Sequence, residues 1–137
     1  MKKWFRSAVS LFLAYWVIVL VMVFSAASAQ EVQRIKPEDL RKLIESKSDI
    51  VVVDTQPESA YDMGHIPGAV NFPWASQVKT PSNLPRNKLL VLYCACSHEE
   101  DSSDVAEQLI KKFGYRQVKV LEGGWLRWKE LGYPIVK

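Results

Sequence analysis

From Gln33 to the carboxyl end, short apolar runs alternate with stretches whose apolar residues recur every three or four positions. Gln33 to Ile35 reads as a short edge strand. Pro37-Glu38-Asp39 then opens a helix, with proline and acids in its first turn and an apolar stripe of Leu40, Leu43 and Ile44. Ile50 to Val53 is a continuous β-branched run ending in Asp54, the pattern of a strand covered on both faces. Pro57 to Asp62 predicts a short helix, and Gly64 to Ala69 a turn cluster leading into a strand over Val70 to Phe72. After a loop holding Pro73, Pro81 and Pro85, a strand is expected from Lys88 to Cys94. A helix follows from about Ser102 to Phe113, its apolar face made by Val105, Leu109, Ile110 and Phe113. Asp104 with Glu107 fits a capping pair at its start, and Gly114 is placed to end it. Val118 to Leu121 predicts a further strand, and Gly123-Gly124 precedes a last helix carrying Trp125, Leu126 and Trp128. Strands that alternate with helices in this way imply an α/β fold, an open parallel sheet of about five strands with helices on both faces.

The amino terminus breaks the alternation. Met1-Lys2-Lys3 and Arg6 precede an apolar run from Ala8 to Phe24, and Ser25-Ala26-Ala27-Ser28-Ala29 follows. This is the layout of an export signal, with cleavage expected before Gln30. The run is longer than a usual signal core and close to the minimum for a spanning helix, so an uncleaved membrane anchor is the alternative. Both place the remainder outside the cytoplasm, in the periplasm or cell envelope. The expected division is therefore residues 1–29 as signal and 30–137 as one domain.

Charge sharpens this division. The whole chain carries 18 basic and 15 acidic side chains. Three basic residues fall before Gln30, which leaves the expected domain balanced. No basic surface is left to argue for nucleic acid.

Both cysteines stand in one place, Tyr93-Cys94-Ala95-Cys96-Ser97-His98-Glu99-Glu100-Asp101-Ser102. A thiol between a parallel strand and a helix faces loop amides and the positive end of the helix dipole, which favour thiolate, the reactive form. Ligands in open α/β sheets usually bind at such strand ends. An oxidising compartment would suggest a structural disulfide, but residues i and i+2 of an extended strand hold their α-carbons roughly 6.5 to 7 Å apart, at the edge of what a bridge can span. Any Cys94–Cys96 bridge is expected to be strained and easily reduced.

Four segments taken together resemble the rhodanese-like domains, in particular the single-domain, exported, phage-shock-type members. They are Val51 to Asp54, Gly64 to Pro73, Tyr93 to Cys96, and Leu121 to Trp128 with Gly132-Tyr133-Pro134. They occur in family order and cover about Ile35 to Val136. The resemblance implies a sulfurtransferase: a cysteine takes sulfane sulfur from a donor, becomes a persulfide, and passes the sulfur to an acceptor. It also implies the register, since the family places five loop residues between the nucleophile and a serine that begins the next helix. Cys96 and Ser102 satisfy that spacing. Cys96 is thus the expected nucleophile, with backbone amides of Ser97, His98, Glu99, Glu100, Asp101 and Ser102 as an anion cradle. No metal or organic cofactor is implied. The expected partners are a small sulfur donor with a thiol or cyanide acceptor, or a protein thiol.

The chain departs from the family at informative places. Asp101 stands where an arginine commonly ends the loop, preceded by Glu99 and Glu100. These three carboxylates oppose a thiolate and an incoming thiosulfate, so poor use of thiosulfate is expected. Acids at a helix start also compensate its dipole, the ordinary reading for Asp101 or Asp104 alone. Upstream, Gln56 and Ala60 replace an arginine and a glutamate, removing a charge pair at both ends and leaving no unpaired buried charge. Cys94 reads as a small apolar strand residue, or as a thiol that resolves an oxidised Cys96. A rival function is a non-catalytic thiol-redox or soft-metal module, with Cys94, Cys96 and His98 as alternating ligands. His65 and Asp54 are expected to pack the fold, and Trp74 to cover a surface or line the site.

Overall fold

In a computed structural model the described residues are 31–137. The expected signal or anchor lies outside them. Nine elements follow in chain order: β1 (Gln33–Ile35), α1 (Pro37–Glu45), β2 (Ile50–Asp54), α2 (Glu58–Met63), β3 (Val70–Asn71), β4 (Leu89–Tyr93), α3 (Glu100–Phe113), β5 (Val118–Leu121) and α4 (Gly124–Glu130). The strands form one sheet in the order β1-β5-β4-β2-β3, every neighbouring pair parallel.

The alternation of side chains along the central strands builds two cores. Leu90 and Leu92 of β4, Val53 of β2 and Val120 of β5 point to one face, where Val105, Ala106 and Leu109 of α3 cover them. Val91 and Tyr93, Val52 and Leu121 point to the other, under Leu40 of α1 and Trp125 and Trp128 of α4. Leu90, Val91, Leu92 and Tyr93 are all fully buried, each apolar side chain contributing about 1.5 to 3 kcal/mol by leaving water. Because β4 lies in the middle and is anchored on both faces, its carboxyl end is held rigidly. The site begins there.

Three expectations about the strand-to-helix junction change. β4 ends at Tyr93, one residue earlier than expected, and α3 begins at Glu100 instead of Ser102. The Asp104–Glu107 capping pair does not form: the cap position is Glu99, in left-handed backbone with φ +56°, and Asp104 instead accepts the Trp74 indole N–H at 2.7 Å. Capping signatures identify a helix start by local spacing, and here a tertiary partner 30 residues away took the carboxylate. Gly114 ends α3 as expected, at φ +71°.

Candidate functional site

Cys94 follows β4 directly, and its main chain is clamped. Its carbonyl accepts the Trp125 N–H at 2.8 Å, and Gly124, at φ +51°, lies so close that a Cβ there would stand 2.3 Å from the Cys94 oxygen. One residue earlier, the Tyr93 carbonyl accepts both the N–H and the hydroxyl of Thr55, at 2.9 and 3.0 Å. The strand end is thus tied to β2 on one side and α4 on the other.

Beyond Cys94 the chain bends at the exposed Ala95 and turns back. The extended geometry assumed for the two cysteines therefore fails. The Cys96 N–H donates to the Cys94 sulfur at 3.4 Å, and the buried Ser102 hydroxyl lies 3.6 Å from that sulfur and 3.1 Å from the Glu99 carbonyl. Both thiols are free. Cys94 is 1% exposed, whereas Cys96 is partly exposed.

The electrostatics of Cys96 differ from a simple helix-dipole expectation. Burial and the neighbouring Cys94 thiol push its pKa up to about 12, and the Asp101 carboxylate adds to this, while the Asp101 backbone N–H pulls the other way. At neutral pH the resting group is the thiol. The three loop acids do not act alike. Glu99 turns away to accept the Gly123 N–H at 2.6 Å and to pair with Arg34 at 3.6 Å, so it braces the loop against the β5–α4 turn and β1. Glu100 accepts the His98 N–H at 3.1 Å, and its carboxyl is held below the ordinary range by its own N–H and that of His98. Asp101 is the acid that faces the Cys96 thiol.

Of the expected cradle, the Ser102 hydroxyl meets Cys94, and the His98 N–H is taken by Glu100. Ser97 is exposed. His98, its side chain 83% exposed, pairs outward with Glu100 at 3.5 Å. The alternating Cys94, Cys96 and His98 therefore do not converge, and among the described residues no group of three His, Cys, Asp or Glu side chains could hold a metal ion. Sequence reading missed the brace from Glu99 to Arg34 and Gly123 and the contact of Gly124 with Cys94. Both join residues far apart in the chain, and only the two glycines signalled anything locally.

Asp54, at the carboxyl end of β2, corrects a further expectation. With Gln56 in place of an arginine, its fully buried carboxylate has neutral donors alone: the Tyr93 hydroxyl at 2.6 Å, the Gln56 N–H at 2.8 Å and the Gln56 amide at 3.1 Å. Burial raises its pKa from the ordinary 3.8, against these hydrogen bonds. A raised folded pKa means that Asp54 costs nothing well below pH 3.8, where it is protonated in both states, and that its cost builds as pH rises from 3.8 to its folded value and stays constant above it. The urea midpoint of Asp54→Asn, measured against the wild type, is therefore expected to gain on it as pH rises from 3.5 to 7. A difference independent of pH would show that the carboxylate ionises at its ordinary value. His65 stacks on Tyr61 at 3.7 Å and bonds the Tyr61 carbonyl through Nδ1, a packing role as expected.

A parallel five-stranded α/β sheet with a thiol-bearing loop between its central strand and the following helix defines the class. The chain belongs to the rhodanese-like domain family, whose profile matches residues 36–131. It is similar to the sulfur carrier protein TtuD of Thermus thermophilus, 30% identical over 116 residues that cover 72% of this chain and 40% of the relative. The thiosulfate sulfurtransferase GlpE of Coxiella burnetii is 30% identical over 83 residues, covering 61% of this chain and 75% of the relative. Among solved structures, a rhodanese-related protein from Thermoplasma volcanium superimposes with a TM-score of 0.61 at 25% identity, covering 76% of this chain and 97% of that one. The chain spans 38% and 23% of the length of two further curated relatives.

Proposed function

We propose that this protein is a sulfurtransferase in which Cys96 accepts sulfane sulfur as a persulfide and passes it to a nucleophilic acceptor. The single observation that carries the reading is the placement of a partly exposed thiol, Cys96, in the loop between the central parallel strand and the helix that follows it. Membership of the rhodanese-like family and similarity to a sulfur carrier protein and a thiosulfate sulfurtransferase support the same chemistry. Trapping by alkylation immediately after mixing with glutathione persulfide is expected to show a gain of about 32 Da confined to the Cys96 peptide and removed by cyanide. No gain with persulfide, polysulfide or thiosulfate rejects the reading.

Asp101 shapes the donor preference. An acid facing the thiol repels a small dianion and raises the cost of forming thiolate. Transfer from a persulfide donor suits such a site, since the thiol proton can pass to the departing thiolate. Asp101→Arg is expected to raise kcat/KM for thiosulfate by about tenfold, the effect of reversing one charge near a partly screened anion site. An unchanged or lower value in a folded variant would mean that the acid does not set donor choice. Lys2, Lys3, Arg6 and the apolar run that follows support export, with the domain working in the periplasm or cell envelope.

A further inference from the structure

Cys94 is the group that persulfide chemistry on Cys96 leaves unexplained. As a small apolar strand residue it would need no polar partners, yet its sulfur has two: the Cys96 N–H at 3.4 Å and the Ser102 hydroxyl at 3.6 Å. At 1% exposure Cys94 meets little from solvent, and the neighbouring thiol is that of Cys96. The backbone suits a reaction between them. Trp125 and Gly124 fix the Cys94 end, and the bend at exposed Ala95 turns the chain so that the Cys96 N–H meets the Cys94 sulfur.

We propose that Cys94 is a resolving thiol, so that the site also reduces sulfane sulfur to hydrogen sulfide. This inference rests on the persulfide reading of Cys96. In the first step the Cys96 sulfur attacks the outer sulfur of a donor R–S–SH, the S–S bond of the donor breaks, and R–SH leaves with the proton. Cys96–S–SH results. In the second, the Cys94 sulfur attacks the inner, Cys96-bound sulfur, a Cys94–Cys96 bond forms, the persulfide S–S bond breaks, and the outer sulfur departs as hydrosulfide, which takes up the Cys94 proton to give hydrogen sulfide. Two protein thiols are oxidised and one sulfane sulfur is reduced to sulfide, a two-electron exchange. Because a bridge across one intervening residue is strained, two equivalents of a low-molecular-weight thiol R–SH reopen it by exchange, leaving R–S–S–R and the dithiol. The net reaction is R–S–SH plus R–SH to R–S–S–R plus hydrogen sulfide.

The test mixes full-length protein anaerobically with one equivalent of glutathione persulfide, without added thiol, and follows sulfide and intact mass over time. Wild type is expected to show a transient gain of about 32 Da that decays to a loss of about 2 Da, with close to one equivalent of sulfide released per chain. Cys94→Ser and Cys94→Ala are expected to keep the gain on Cys96 and release no sulfide above the Cys94→Ala/Cys96→Ala background. Two variants are used because a buried position tolerates replacements unequally. A wild type that holds its persulfide stably overturns the resolving role and leaves Cys96 sulfur transfer standing. Loading of Cys94 in Cys96→Ser, with none on Cys96 in the Cys94 variants, overturns the assigned order. Absence of any sulfur adduct in all chains rejects the underlying reading as well.

Discussion

Replacement of Cys96 by serine is expected to abolish sulfane sulfur loading and to lower thiocyanate formation from glutathione persulfide and cyanide by about 10³-fold or more. The hydroxyl is a far poorer nucleophile toward divalent sulfur and forms no stable sulfur adduct. The substitution is conservative in volume, and Cys96 lies in a half-exposed loop, so the fold should be little changed. Far-ultraviolet circular dichroism and the urea midpoint check that the loss is chemical. The alternative outcome is specific. If Cys96→Ser turns over at a rate near the wild type while Cys94→Ser does not, the nucleophile is Cys94. The observed start of α3 makes this a real contest: five residues separate Cys94 from Glu100, the same loop length that the resemblance assigns between Cys96 and Ser102. What favours Cys96 is access, since Cys94 is buried beneath the loop.

Gly124→Ala is expected to be the most damaging small substitution in the domain. Gly124 sits at φ +51°, where an L side chain costs about 1 to 2 kcal/mol, and its new Cβ would stand 2.3 Å from the Cys94 carbonyl. Neither party can retreat cheaply. The Cys94 carbonyl belongs to the end of the central strand and accepts the Trp125 N–H, and Trp125 and Trp128 pack under the sheet. The loss should be about 2 to 4 kcal/mol, or roughly 10 to 20 °C in Tm for a domain of this size. Catalysis should fall in the fraction that remains folded, because separating Gly124 from Cys94 moves the base of the thiol loop. A loss below about 1 kcal/mol would show that the strand end yields, and that the close approach is not what demands glycine there.

The α/β architecture was legible because its signal is local. Buried parallel strands need continuous apolar runs, and Ile50 to Val53 and Leu89 to Leu92 supply them. Helices covering a sheet need an apolar stripe, and Val105 and Leu109 are found facing β4 and β5. Glycine stops and a proline start set several boundaries within a residue or two. The thiol loop was legible for the same reason: both cysteines fall where a strand pattern gives way to a helix pattern.

What failed depends on partners distant in sequence. Asp104 was available as a cap until Trp74 bound it, and three acids in a row looked equivalent until the fold gave each a different partner. Glu99 meets Arg34 and Gly123, Glu100 meets the His98 N–H, and Asp101 meets Cys96. Gln56 and Ala60 in place of a charge pair leave Asp54 buried among neutral donors, which local sequence does not reveal.

The sequence alone thus determined a parallel α/β domain with two thiols at the carboxyl end of its central strand, since strand and helix periodicity are properties of neighbouring residues. Tertiary structure decided how those thiols are disposed. Burial, a bend at Ala95 and the approach of Ser102, Gly124 and Asp101 are all set by packing across the sheet, and they make Cys94 enclosed and hydrogen-bonded while Cys96 is reachable and protonated.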